Sequence, residues 1–158
     1  MPAKIRYNRQ GKRPRDSQRS KVYAAEHSVS SKFRLTAWAG ESYTDLVRVQ
    51  GFVDAVTMSD LWKELRTQAG RWSHRVTVAA QRSGAGAMPE RSTIYLSRDL
   101  RQEPMVVCHE LAHLTTTDAH AWHGPEFARI YLRLVAHFMG RVAYEALRSE
   151  FAKHRVRC

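Results

Sequence analysis

Apolar residues recur at helical spacing over most of this chain and alternate like a strand only in short stretches. Over residues 45–56, Leu46, Val49, Phe52, Val53 and Val56 fall at steps of three and four, the spacing of one helix face. Ser59 is placed to cap a second helix through Gln68, which turns Leu61, Trp62 and Leu65 inward before Gly70. Residues 17–26 read as helical or irregular, and 33–38 as a short strand. Two further strands are expected at 76–80 and 92–97, the latter alternating Ile94 and Leu96 with Thr93 and Tyr95. Between them, 82–91 holds Gly84, Gly86 and Pro89 and reads as a loop.

Pro104 suits the first turn of a helix running to about Thr115, with Val107, Leu111 and Leu114 on its buried face. A loop over 115–122 leads to a helix that starts at Pro125. It carries Phe127, Ile130, Tyr131, Leu134, Val135 and Phe138 as an apolar stripe up to Gly140. A last helix over 142–153 buries Ala143, Leu147 and Phe151. The pattern predicts a single α+β domain, a small mixed or antiparallel sheet packed on helices.

Composition narrows this picture. At 158 residues with 43% apolar content, the chain can bury a core without disulfide staples. Its two cysteines, Cys108 and Cys158, form neither a disulfide framework nor a zinc ribbon. No apolar run approaches 18 residues and no signal-peptide pattern follows Met1, so a soluble, cytoplasmic chain with free thiols and no membrane partner is expected. The net charge of +11 sits at the ends: 1–34 has a surplus of eight positive charges, 141–158 of three, and 35–140 is balanced. Residues 1–15, with Lys4, Arg6, Arg9, Lys12, Arg13 and Arg15, read as a disordered basic arm ahead of a domain over 16–158. Such an arm suits nucleic acid or simple solvation, and no nucleic-acid-binding motif decides between them.

Four of the eight histidines lie between 109 and 123. His109 and His113, four apart on a helix, point about 40° apart and can share one ion. Glu110 lies on the flank of the same arc, where a carboxylate reaches a water at the ion without binding the ion itself. Zinc favours such imidazole ligands with one position left open, and acidifies its water to a pKa of about 7. The third ligand is open among His120, His123 and Glu126. His123 is the best placed, because the helix start at Gly124-Pro125 can fix its direction. Glu126 also suits the positive end of that helix, and His120 reads as a loop histidine. Cys108 reads as a small buried residue, His137 as a polar helix edge, and Trp122 as a packing residue, with a wall of the site beside His123 as its alternative.

His109-Glu110-Leu111-Ala112-His113 followed by His123-Gly124-Pro125-Glu126-Phe127 resembles the SprT/Spartan-like zincin metalloproteases, over roughly 92–140. Most of the chain resembles a small family of zincin-like metallohydrolases from actinobacteria and their phages. That likeness includes Arg15-Asp16-Ser17-Gln18-Arg19 and Lys21-Val22-Tyr23-Ala24-Ala25-Glu26. The resemblance implies one zinc ion held by His109, His113 and His123, with Glu110 as general base. It also implies an antiparallel edge strand beside the active helix that holds an extended peptide, for which 92–97 is the candidate. No C-terminal zinc ribbon or partner-binding motif is read here, so DNA-dependent activation does not follow from the resemblance.

The expectation is therefore a zinc-dependent hydrolase, a metallopeptidase acting on peptide or protein. The rival is a nucleic-acid-associated binding protein with a structural or vestigial zinc site. A protease tethered to DNA and a hydrolase of other amides are compatible variants.

Overall fold

Residues 13–33, 46–71 and 75–158 are described by a computed structural model of the chain. Residues 1–12 of the basic arm, 34–38 of the expected strand, and Asp45, Trp72 and His74 lie outside them. Within the described residues the fold is mixed α+β, with five helical elements and a small mixed sheet.

Helix α1 (Arg19–Val29) runs into a 3-10 turn over Ser30–Phe33, so Phe33 is in a turn and not a strand. Helices α2 (Leu46–Thr57) and α3 (Asp60–Gln68) follow. Ser59 caps α3 as its position implies, its hydroxyl accepting from the Trp62 N–H at 3.1 Å. Trp62 and Leu65 then point into the core. The strands are β1 (Thr77–Ala80), β2 (Ala85–Met88) and β3 (Thr93–Leu96), in spatial order β1-β3-β2. β1 pairs with β3 in parallel, and β2 pairs with β3 antiparallel with Ala85 opposite Leu96 and Met88 opposite Thr93.

Two expectations are corrected here. The supposed loop contains β2, whose Ala-Gly-Ala-Met sequence has no strand preference of its own and forms by pairing with β3. Gly84, at φ +71°, makes the turn that starts it. Among the described residues β3 is therefore the central strand, not an edge, and β1 and β2 take the two outer positions.

Helix α4 (Pro104–Thr115) is buried along its whole length, enclosed by α5, β2 and the 3-10 turns over Ser30–Phe33 and Arg98–Gln102. That burial explains why its apolar residues show little one-sidedness: there is no solvent face to mark. Helix α5 (Pro125–Lys153) is broken at Gly140, whose φ of 84° and ψ of 177° are not helical. The rings of Tyr131 and Phe151 are 6.0 Å apart, whereas twenty residues of straight helix span about 30 Å. The break is therefore a hairpin, and its two arms pack on each other. No helix among the described residues is long and apolar enough to cross a membrane.

Candidate metal centre

Helix α4 and the start of α5 bring His109, His113 and His123 together, exposed by only 1%, 7% and 5%. The Nε2 atom of His109 is 3.1 Å from Nε2 of His113 and 3.2 Å from Nε2 of His123. Two nitrogens bound at about 2.1 Å to one tetrahedral ion lie about 3.4 Å apart, so the spacing suits a shared ion. The tautomers argue the same way. Nδ1 of His109 faces a Glu26 carboxylate oxygen at 2.7 Å, and Nδ1 of His123 faces an Asp16 oxygen at 2.6 Å. A carboxylate accepts only, so both imidazoles carry a proton on Nδ1, which leaves Nε2 as the nitrogen available to a metal. The three buried histidines can hold a metal ion.

The carboxylates that face two of these histidines come from the first described segment, 83 and 107 residues away in sequence. The Tyr131 hydroxyl donates to Glu26 at 2.6 Å, on the oxygen that His109 uses, so that carboxylate is fixed from two sides. Gln18, 2% exposed, donates to the His123 carbonyl at 2.9 Å and accepts from the Arg157 N–H at 2.7 Å. It thus ties the ligand loop to the C-terminal segment. Arg13 donates to the Thr117 and His120 carbonyls at 3.2 and 3.0 Å and pairs with Asp118. Its guanidinium also lies 3.6 Å from the centroid of the Trp122 ring. His113 has no such carboxylate; its Nδ1 is buried with no hydrogen-bond partner among the described residues. Packing positions it instead, with Phe127 stacked at 4.5 Å and Trp122 edge-on at 5.4 Å.

Electrostatics differ across the three rings. Burial lowers the basicity of His109, but the charge and hydrogen bond of Glu26 outweigh it and leave that imidazole more basic than usual. His113 falls well below the ordinary value through burial and its histidine neighbours. His123 is lowered by burial, against which Asp16 acts.

Glu110, 3% exposed, lines a cleft of about 220 Å³ together with His113, His123, Arg19, Tyr23, Trp122 and residues 85–87 of β2. Burial pushes its carboxyl up to about 7, with His109 pulling the other way. The other histidine-rich candidates are engaged elsewhere. Glu126 accepts from the Thr117 N–H and hydroxyl, each at 3.1 Å, and lies 2.9 Å from Nδ1 of His120. Both therefore brace the loop over 117–120, apart from the three converging imidazoles. Cys108 is fully buried and its thiol is pushed up to about 12 by burial. His137 is exposed.

Sequence reasoning gave no role to Asp16, Gln18, Tyr23, Glu26 or Tyr131. The signal available was modest: Arg19, Tyr23 and Glu26 share one helical face by their spacing, beside the resemblance of the segments that contain them. No family model, curated protein or solved structure matches the chain.

Proposed function

We propose that the protein is a zinc-dependent hydrolase of zincin-like architecture, a metallopeptidase in which Glu110 is the general base. The observation that carries this reading is one juxtaposition: Glu110 shares its cleft with His113, His123 and the edge strand β2. His109, His113 and His123 would hold the zinc ion through Nε2, with Asp16 and Glu26 fixing two of the rings. When bound, the ion supplies Lewis-acid polarisation of a carbonyl and acidification of a water molecule.

The rest of the chemistry belongs to the chain. Glu110 takes a proton from the attacking water at its carboxylate and delivers it to the leaving nitrogen. Its burial keeps bulk water from competing for that proton. Among the described residues no strand pairs with the outer edge of β2, whose backbone groups could take an extended peptide as a further strand. Ser97 N–H donates to the Gly84 carbonyl at 2.8 Å, so by the alternation of an antiparallel ladder Gly86 also pairs inward. The backbone groups of Ala85 and Ala87 then face away from β3.

The test is metal analysis beside hydrolysis of labelled casein. The wild type should hold about one zinc per chain and cleave casein, and His109→Ala and His113→Ala should lose the metal. Glu110→Gln should keep zinc and lose at least 100-fold in rate, the order expected for a general base. Full activity in Glu110→Gln would remove Glu110 from this role. A tether to nucleic acid is a compatible second reading, favoured by Arg13, which fixes the root of the basic arm beside Trp122 at the cleft.

A further inference from the structure

Two side chains of α1, Arg19 and Tyr23, line the cleft. Tyr23 stacks on His109 with ring centroids 5.3 Å apart and planes at 21°, and lies 5.2 Å from the ring of His123. Phe127 and Tyr131 pack against His109 too, and both are fully buried. Tyr23 is instead 40% exposed and lines the cleft with Glu110. A residue serving only to pack the imidazole has no need of an exposed polar end. Arg19, one turn earlier on the same helix face, lines the same cleft, its guanidinium carbon 5.7 Å from the Tyr23 ring centroid. The Tyr23 hydroxyl lies within the field of both Glu110 and Arg19.

Elimination sharpens this placement. Among the lining residues of the cleft, Asp16 is occupied by His123, and Ala85, Gly86 and Ala87 carry no polar side chain. Arg19 is the one cationic side chain and Tyr23 the one hydroxyl in that lining. Attack on an amide builds negative charge on its carbonyl oxygen, and donors fixed in place beforehand stabilise it most.

We propose that the Tyr23 hydroxyl and the Arg19 guanidinium donate to the carbonyl oxygen of the bound amide as it becomes negative, a role that rests on the hydrolase reading above. The water oxygen forms a bond to the carbonyl carbon, the C=O π pair moves onto oxygen, and Glu110 takes the water's proton. When that pair returns, the C–N bond breaks and the nitrogen leaves with the proton from Glu110. Tyr23 and Arg19 donate hydrogen bonds throughout and keep their own protons.

The experiment compares two probes on the full chain loaded with one equivalent of zinc. A phosphinic pseudotripeptide places a tetrahedral, charged oxygen where the substrate carbonyl would be; acetohydroxamate chelates a metal but is planar and has no tetrahedral centre. Tyr23→Phe and Arg19→Gln should each weaken the phosphinic probe about tenfold or more, a conservative fraction of the 10²–10³ seen in rate for one lost oxyanion donor. Acetohydroxamate affinity should stay within about twofold and zinc content unchanged, because phenylalanine keeps the ring stacked on His109 and neither substitution removes a histidine. Equal weakening of both probes, no weakening of either, or a wild type that ignores the phosphinic probe would each overturn the assignment. Wild-type protein that shows the expected probe pattern but leaves casein intact would sink the peptidase reading and leave this role standing.

Discussion

One carboxylate oxygen of Glu26 receives both the Nδ1 proton of His109, at 2.7 Å, and the Tyr131 hydroxyl, at 2.6 Å. Three elements meet at that atom: α1, α4 and α5. Glu26 is 7% exposed, so the charge needs both donors to be tolerated there. The contact does three things at once. It holds a proton on Nδ1 of His109, makes that imidazole more basic, and ties α1 to α4, the helix that carries two of the three clustered histidines.

Removing the orienting carboxylates should therefore weaken metal binding without removing a ligand. Glu26→Gln and Asp16→Asn are each expected to lower zinc affinity by about 10–100-fold, as loss of a carboxylate behind a histidine commonly does. A competition titration against a chromophoric chelator reads this directly. Wild-type affinity in both variants would show that the carboxylates only pack.

The histidine cluster was legible in sequence and its supports were not, for a physical reason. His109 and His113 are joined by helix geometry alone, so four residues of spacing state their relation. His123 needed the added cue of a helix start at Pro125. Asp16 and Glu26 reach their histidines across 107 and 83 residues, through tertiary packing that leaves no local periodicity. The fold shows the same divide. The break at Gly140 and the cap at Ser59 are local events that single residues announce. β2 is not: Ala-Gly-Ala-Met becomes a strand only because β3 is there to pair with it.

Stripping the metal should lower stability. A ligand at about 100 times its dissociation constant adds about 2.7 kcal/mol to a protein that binds it only when folded. In a chain of this size that corresponds to roughly 5–10 °C in melting temperature. Differential scanning fluorimetry with EDTA, then with zinc restored, should show a reversible shift of this order. An unchanged melting temperature would argue that the three imidazoles hold no ion.

Gly140→Ala tests the hairpin in α5. At φ +84° and ψ 177° the residue sits in a region essentially restricted to glycine, and nothing lies within 4 Å of an added Cβ. Any cost must then come from backbone strain and not from a clash. The expected loss is about 1–3 kcal/mol, read as a lower urea midpoint with an unchanged slope. No change in midpoint would mean that the turn at this position relaxes freely.

The edge strand gives the most specific test of how a substrate would be held. Ala87 lies opposite Ile94 in the register of β2 on β3, at a position whose N–H turns outward by the alternation from Gly84 and Gly86. Ala87→Pro deletes that one N–H, and proline is tolerated on an edge strand when the lost donor faces away from its neighbour. The ladder to β3, the zinc content and the melting temperature should survive. A peptide docked along β2 loses a backbone hydrogen bond, worth about 0.5–1.5 kcal/mol, so kcat/KM should fall by roughly 2–12-fold. A small non-peptide ester, too short to lie along β2, should be cleaved at the wild-type rate. An equal fall for ester and peptide would place the damage in the metal site and not in the docking edge.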